Sequence, residues 1–467
     1  MKIITENKKS NNVKVSILIS TYNKGKFIKK TLDSILNQTF DLKKLEVIVV
    51  DDCSTDDTLK VVASNLTNFY NYKLVQLDQN SGTPAQPRNL SIDLSRGKYL
   101  MFIDGDDWLP ENAVETLYNL LKKNKTDYAT GLTNYVFNDK VARAGVALSK
   151  ISHSKLDLNH NSKSFYHLAP HGRMVKASII KNNNIRFPEM IFAEDLQFFA
   201  EVFFHVDKIS TTEDVVYFTN RYQDNVSLVK SKESTMPNRM KLQMDAYKYL
   251  SKKYKNLKVF RNLLIRLINK DILNGKFYKK AFIREIDVML PLLQDAINTI
   301  EKDFDVNKYV DDELNKKAIE LIKKGDKAEI IAFIKWYSDK DDEQLQFKRN
   351  KAYYSYNNEL FLKHMHVTLQ NIIRKNNSIT LKLYSKNSHI EFMELKSRKN
   401  PEQYQILKVK KNTLKPGEYS VKFDTSHLPK GKLAITVLDE DLNSTVVKTN
   451  DQFNLYETVN GNLGYKS

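Results

Sequence analysis

The chain has 467 residues, 41% of them apolar, and carries a formal net charge of +18 with a pI near 9.4. That length supports two or three domains, and with only 13 glycines and 10 prolines the composition is that of a globular protein rich in regular structure. A single cysteine, Cys53, excludes an internal disulfide framework and fits a reducing compartment. The start, Met1 to Asn12, lacks the apolar core of a signal peptide, and no window reaches the roughly 18 uninterrupted apolar residues of a spanning helix. We therefore expect a cytoplasmic protein. The charge calls for an anionic partner without naming it: nucleic acid, a phosphate-rich polymer and an acidic membrane surface all fit, the last implying peripheral association at the inner face of the cell membrane. An ordinary lysine-rich solvated surface accounts for the charge equally well. No zinc-ligand spacing, Walker loop or RNP-like pattern supports nucleic acid, and none is expected as a partner.

Val13 to Ile19 alternates as a half-buried strand and runs into Ser20-Thr21-Tyr22-Asn23-Lys24. A helix follows with Ile28, Leu32, Ile35 and Leu36 on one face. Leu45 to Val50 reads as a second strand ending in Asp51-Asp52, and Ser54 can cap the next helix, whose inner face is Leu59, Val62, Ala63 and Leu66. Lys73 to Leu77 is a short third strand, and Asn80 to Asn89 a loop whose two prolines disfavour helix until about Arg88. The apolar run Tyr99 to Ile103 then breaks into Asp104-Gly105-Asp106-Asp107, with Gly105 expected to allow a sharp turn. Strands alternating with helices imply right-handed crossovers and a parallel sheet, whose ligand site lies beyond the carboxyl ends of the strands.

Four strand-end loops therefore converge. Tyr22 can stack on a planar base, and Asp52 can accept from a base imide N–H. Two carboxylates one residue apart, Asp104 and Asp106, repel unless a cation lies between them, and hard oxygen ligands at an open position suit Mn²⁺ or Mg²⁺ shared with a substrate phosphate. Arg88 can hold a diphosphate. Taken singly, each has a plain explanation: a core-edge aromatic, a helix-dipole partner, a surface ion pair, an acidic turn. Their coincidence at one end of one sheet favours a site.

The runs V-S-I-L-I-S-T-Y-N, V-I-V-V-D-D-C-S-T-D-D-T, N-S-G-T-P-A-Q-P-R-N and F-I-D-G-D-D resemble the GT-A glycosyltransferases of family 2. The third run, with F-P-E-M-I-F-A-E-D-L-Q-F-F at 187–199, is similar to the staphylococcal wall teichoic acid β-N-acetylglucosaminyltransferases. The likeness covers residues 13 to about 230 and loosens beyond. It implies a Rossmann-like GT-A domain that takes a UDP-sugar, with Tyr22 and Asp52 on the uracil, Asn80 and Arg88 flanking the nucleotide sugar, and Asp104 and Asp106 holding the metal on the diphosphate. It places the general base at Asp195 beside Glu194, and a basic residue near the site at Arg221. His171 and Arg173 fall toward the acceptor side by chain order. Cys53 stands where many family members have glycine.

From Met236 to Asp342 the pattern turns helical: Met240 to Leu250, Val259 to Leu273, Phe282 to Ile300 and Leu314 to Trp336. Arg261, Arg266, Lys270 and Lys276 could line a basic face there, though a solvated helix face explains them as well. The final stretch breaks into short alternating runs: Leu360 to Leu369, Ser378 to Tyr384, His389 to Lys396, Gln405 to Lys410, Gly417 to Phe423, Lys432 to Leu438 and Thr445 to Thr449. These suggest a β-sandwich without a catalytic cluster. The expected organisation is a GT-A domain over 1–235, a helical linker over 236–352 and a β-sandwich binding or oligomerisation module over 353–467. The resemblance implies a homotrimer.

The sequence thus points to an inverting, metal-dependent hexosyltransferase moving N-acetylglucosamine from a UDP-sugar to a hydroxyl of an anionic, teichoic acid-like polymer. Against it stand a capsule or surface polysaccharide transferase with another donor sugar, and a non-catalytic polymer-binding scaffold.

Overall fold

A computed structural model describes residues 1–144, 146–225, 235–310 and 312–340, most of 345–447, and the segments 455–457 and 463–466. The chain divides into two compact units, Met1–Leu267 and Ile268–Ser467.

The first unit is organised by a sheet. Its elements are β1 (Lys2–Lys8), β2 (Val15–Thr21), α1 (Gly25–Leu36), β3 (Leu45–Asp51), α2 (Thr58–Leu66), β4 (Asn71–Gln76), α3 (Ala85–Leu94), β5 (Tyr99–Asp104), α4 (Ala113–Asn124) and β6 (Tyr128–Val136). They continue with β7 (Val141–Ala144), α5 (Val146–Ser149), β8 (His153–Asp157), β9 (Arg173–Lys176), α6 (Ala177–Asn182), α7 (Glu194–Phe204), β10 (Lys208–Asn220), α8 (Met236–Tyr254) and α9 (Phe260–Ile265). Ten strands form one sheet in the order β1-β4-β3-β2-β5-β9-β6-β10-β8, with β7 on β6. The neighbours β4, β3, β2 and β5 are parallel, which puts a topological switch point between β2 and β5, where chain order reverses.

The central strands are apolar on both sides because helices cover both faces. Ile17 and Ile19 share a core with Ile28, Leu32 and Ile35 of α1 and Leu117 of α4. On β5, Phe102 packs edge-on against Phe187, Phe198 and Phe199. Two expectations need correction. The strand β1 was not foreseen, because a polar edge strand carries no hydrophobic signature; it pairs antiparallel with β4. The helix α3 starts at Ala85 rather than Arg88: Pro84 is its N-cap and Pro87 lies in the first turn, where a missing N–H leaves no hydrogen bond unmade.

The single helix expected over Val259 to Leu273 is instead α9 followed by a π-helical stretch, Arg266–Phe277. Within that stretch the side chains of Asn274 and Lys276 each donate to the carbonyl five residues back, at 2.8 Å, using carbonyls along the wider turn. The helices α10 (Lys280–Arg284), α11 (Ile286–Glu301), α12 (Glu313–Lys324) and α13 (Lys327–Asp339) follow in the second unit. The run Leu314 to Trp336 is broken at Gly325, left-handed at φ 77°, with Asp326 capping the next helix through Glu329 N–H.

A three-stranded sheet holds β11 (Gln346–Lys348), β12 (Lys351–Tyr356) and β13 (Glu359–Leu362). The strands β14 (Thr368–Lys375), β15 (Ser378–Tyr384), β16 (Phe392–Ser397), β17 (Tyr404–Lys408), β18 (Lys410–Lys411), β19 (Glu418–Asp424), β20 (Lys432–Leu438), β21 (Ser444–Val446), β22 (Leu455–Glu457) and β23 (Leu463–Lys466) form two antiparallel sheets. Alternate residues Ile379, Leu381 and Leu383 of one face Met393, Leu395, Ile435 and Val437 of the other in a common core, which makes the module a β-sandwich. The single strand expected over Leu360 to Leu369 is split between β13 and β14. Of the strand expected over Thr445 to Thr449, the first two residues belong to β21, while Lys448 and Thr449 lie outside the described residues.

Candidate active site

The register of the parallel strands aligns their carboxyl ends: Thr21 lies opposite Asp51, Asp51 opposite Gln76, and Ser20 opposite Asp104. The four loops leaving these strands therefore open at one edge of the sheet, at the switch point.

The loop after β3 turns on Cys53, whose φ of 61° is left-handed. That conformation explains why glycine suits the position. Asp52 is buried, and its carboxylate accepts the Ser81 N–H at 2.9 Å, the Ser81 hydroxyl at 2.9 Å and the Asn80 amide at 3.0 Å. Burial nevertheless raises its pKa above the ordinary aspartate value. Tyr22 is 42% exposed at the end of β2 and is followed by Asn23, also left-handed at φ 51°.

Arg88 joins the other half of the edge. Its guanidinium donates to Asp104 Oδ1 at 2.8 Å and to Glu194 Oε1 at 3.1 Å. Burial disfavours the charged guanidinium, but Asp104 and Glu194 outweigh it and its pKa moves up. At Asp104 burial likewise opposes ionisation and Arg88 overrides it, so that carboxylate sits below the usual range. Asn89, to which the sequence assigns no role, explains how residues 106 positions apart meet: its amide donates to Phe187 O at 2.8 Å while its carbonyl accepts Phe187 N–H at 2.9 Å. With the Phe102 aromatic cluster, this pair seats the F-P-E-M-I-F-A-E-D run beside β5.

Ala193, buried and left-handed at φ 70°, turns the chain into α7 at Glu194 and Asp195. Burial and then the Asp195 charge push the Glu194 carboxyl up to about 7. Burial also raises Asp195, against the pull of Arg88, and Asp195 Oδ1 accepts the Leu196 N–H at 2.7 Å. A carboxylate of raised basicity near a sheet edge is suited to taking a proton.

The acidic turn is packed more tightly than its sequence suggests. A Cβ on Gly105 would fall 2.6 Å from Thr21 Oγ1, so close approach, not a left-handed φ, requires glycine there. Asp106 Oδ2 lies 2.7 Å from Lys24 Nζ and accepts the Asn225 amide at 2.8 Å, a pairing not foreseen. Asp107, also unassigned from sequence, is buried and accepts the Tyr217 hydroxyl at 2.8 Å and the Asn220 N–H at 2.7 Å. Tyr217 Oη in turn accepts the Asp104 N–H at 3.2 Å. Burial, reinforced by Asp106 and Asp104, holds the Asp107 carboxyl well above its ordinary value. Asp107 thus ties the turn to β10. Arg221, next in chain, lies over the Tyr135 ring at 4.9 Å.

His171 is buried beside Tyr217, and desolvation with the Arg173 charge lowers its pKa to about 3, so it is neutral near pH 7. Arg173 is fully buried, donating to the Tyr128 hydroxyl and to the carbonyls of His167 and His171. Its bonds are those of a core arginine.

Among the described residues no group of three or more His, Cys, Asp or Glu side chains is placed to hold a metal. Asp104 and Asp106 have one oxygen each engaged by a cation, leaving Asp104 Oδ2 and Asp106 Oδ1 without a hydrogen-bond partner among the described residues. Two hard carboxylate oxygens suit Mg²⁺ or Mn²⁺ whose remaining ligands are phosphate and water.

A mixed sheet whose parallel core holds a switch point, flanked by helices and edged with carboxylates, defines a GT-A-like nucleotide-sugar fold. The chain belongs to glycosyl transferase family 2, whose model matches residues 16–183. It is 34% identical over 207 residues to the poly(ribitol-phosphate) β-glucosyltransferase of Bacillus spizizenii, covering 44% of this chain and 32% of that protein. It is 32% identical over 325 residues to the poly(ribitol-phosphate) β-N-acetylglucosaminyltransferase TarP of Staphylococcus aureus, covering 67% of this chain and 96% of that one. The match thus spans about a third of the Bacillus enzyme but nearly all of TarP. In fold, the chain resembles S. aureus TarS 1–349 in complex with UDP-GlcNAc, with TM-score 0.62, 22% identity, and 75% and 99% of the two chains covered. A longer structure of S. aureus TarS aligns over 97% of this chain and 84% of that one, with TM-score 0.60 and 20% identity. It is therefore a member of glycosyl transferase family 2, related to teichoic acid polymer glycosyltransferases.

Proposed function

We propose that the protein is an inverting, metal-dependent glycosyltransferase that moves N-acetylglucosamine from UDP-N-acetylglucosamine to a hydroxyl of an anionic wall polymer of the poly(ribitol phosphate) kind. The observation that carries this reading is the Arg88 bridge, which brings the acidic strand end and the Glu194–Asp195 pair to one place. In the proposed reaction, Tyr22 stacks on the uracil and Asp52 accepts its imide N–H, while Asn80 orders that loop. Arg88 and Arg221 face the phosphates. A divalent cation held by Asp104 and Asp106 would supply Lewis-acid neutralisation of the charge developing on the diphosphate.

Asp195 takes the proton of the acceptor hydroxyl as its oxygen attacks the anomeric carbon. The bond to the UDP oxygen breaks on the opposite face, so the centre inverts and UDP departs with the bonding pair. Glu194 keeps Arg88 oriented.

The Bacillus relative, a glucosyltransferase, favours a second reading in which the donor is UDP-glucose. A donor screen with Mn²⁺ and poly(ribitol phosphate) decides between them: polymer-dependent UDP release with one donor identifies it. No release with either donor on this polymer would refute the acceptor assignment, and undiminished release in excess EDTA would refute the metal.

We further propose a three-part organisation, 1–235, 236–352 and 353–467, with the β-sandwich serving assembly into a homotrimer. A chain ended at Asp342 should be monomeric by light scattering and still bind UDP. A trimer in that form would move assembly to the helical part.

A further inference from the structure

The opposite edge of the same sheet has a different chemistry. Where strands β2, β3, β4 and β5 begin and β1 ends, almost every strand brings a lysine: Lys8 and Lys9 at β1, Lys43 and Lys44 before β3, Lys14 before β2, and Lys98 before β5. The strand β4 brings Tyr70 instead, 37% exposed, with Lys9 Nζ 5.5 Å and Lys43 Nζ 5.7 Å from its ring centre.

Backbone hydrogen bonds make these a continuous row. Lys14 N–H donates to Lys44 O, Tyr99 N–H to Lys14 O, and Ser10 N–H to the Asn71 side chain. Because Lys9 and Lys43 lean on the same ring from either side of β4, the β1 and β3 ends share a face. The row continues with Lys176, Lys125 and Lys208 at β9, β6 and β10, but sheet twist of roughly 20–25° per strand progressively turns these away.

The nearby acids are partly used. Glu6 pairs with Lys8 and Lys73, Asp41 with Lys44, and buried Glu46 with Arg96. Lys9, Lys14, Lys43 and Lys98 have no carboxylate within ion-pair distance among the described residues. Adjacent strands lie about 4.8 Å apart, less than the ~8 Å screening length of physiological salt, so the row acts as one field.

We infer that this amino-end edge is a docking surface for an anionic phospholipid bilayer. A bilayer suits it better than a soluble polyanion for two reasons. The row lies at the end of the strands away from the proposed active site, where a polymer undergoing modification would not reach the chemistry. Its one exposed aromatic is a tyrosine, a ring with an apolar body and a polar tip that fits the headgroup layer. No helix among the described residues is long and apolar enough to cross a membrane, so docking here would be peripheral. The inference rests on the active site proposed above lying at the carboxyl edge and acting on a polymer, but not on which sugar is the donor.

The test is co-sedimentation of the full chain with vesicles of phosphatidylglycerol and phosphatidylcholine in equal parts, and of phosphatidylcholine alone. The wild type should partition onto the acidic vesicles only, and less as salt rises. The variant Lys14→Gln/Lys43→Gln/Lys98→Gln should lose about 100-fold in partitioning, since each lysine at such a surface contributes about fivefold. The control Lys241→Gln/Lys248→Gln/Lys252→Gln, with the same charge change on exposed positions of α8, should stay close to wild type. Should the first triple lower the melting temperature, the exposed pair Lys9→Gln/Lys43→Gln carries the same test with a loss of about 20-fold. Equal losses in both triples, or no partitioning of wild type onto acidic vesicles, would overturn the inference. So would retained vesicle binding in the row variant together with lost binding to soluble polyphosphate, which would assign the edge to a polymer.

Discussion

The two edges of one sheet teach how differently charge is used in a single domain. At the carboxyl edge Asp52, Arg88 and Asp107 are buried, and each side chain is held by a named neighbour 16 to 110 residues away in the chain. At the amino edge the lysines are exposed or half-exposed, and Lys9, Lys14, Lys43 and Lys98 have no carboxylate within ion-pair distance among the described residues. Removing one member of the first set should therefore produce a large, non-additive effect, whereas removing lysines should produce small effects that add.

The largest expected effect is at Asp195. Asparagine there keeps the volume and removes the base, so turnover should fall by a factor of about 10²–10⁴. UDP affinity by calorimetry should stay near that of the wild type. Turnover within a fewfold of wild type would refute the role, and a parallel loss of UDP affinity would move Asp195 to the donor side and make Glu194 the candidate base.

Next is the pH dependence of stability set by Glu194. Its folded pKa is raised from 4.5 to about 7. A group raised in this way contributes stability that is fully present below the unfolded value and lost as pH rises through the folded one, here between about 4.5 and 7. The loss is of the order of 3 kcal/mol at most. Urea unfolding at pH 5 and pH 8 should show a larger drop for wild type than for Glu194→Gln, which has no proton to lose. Equal drops would place the perturbed titration elsewhere.

Asp107→Ala comes third. It leaves the buried Asn220 N–H and the Tyr217 hydroxyl without their acceptor, and an orphaned buried donor costs about 1–3 kcal/mol. The lowered melting temperature should be accompanied by weaker UDP-sugar binding, because the same Tyr217 hydroxyl accepts the Asp104 N–H. Stability lost with donor affinity intact would make Asp107 a purely structural anchor.

Much of the carboxyl edge was legible in the sequence because its signals are local. An apolar run that ends in acids marks a strand end, and the spacing of Asp104 and Asp106 survives any detail of packing. The partners of those acids were not legible. Lys24 on Asp106, Asn89 on Phe187 and Asp107 on Tyr217 are contacts between segments 82, 98 and 110 residues apart, and no periodicity encodes them. The strand β1 was invisible for the opposite reason, since its polar residues serve an edge and bury little. The lysine row needs the strand order before it exists at all. In sequence its members are scattered from Lys8 to Lys98; only the sheet order β1-β4-β3-β2-β5 collects them.

The smallest effect expected is at Cys53, and it sharpens the comparison from the backbone side. Asn23, Cys53 and Ala193 are all left-handed without being glycine, and each adjoins a residue of the proposed site: Tyr22, Asp52 and Glu194. A side chain in that region costs roughly 1–2 kcal/mol. In Cys53→Gly that strain is released, while the unfolded chain gains freedom worth about 0.5–1 kcal/mol in the opposite sense. The thiol also gives up a weak contact with Asp78 O at 3.8 Å. The net expectation is a stabilisation of about 0.5–1 kcal/mol, read as a rise of about 1–2 °C in the melting transition, with UDP affinity unchanged because Asp52 keeps its three donors from Asn80 and Ser81. A fall in melting temperature would mean that the thiol contributes more than the backbone strain removes. A fall in UDP affinity would mean that the Cβ at residue 53 helps hold Asp52 in place, and that the left-handed turn is kept for the site.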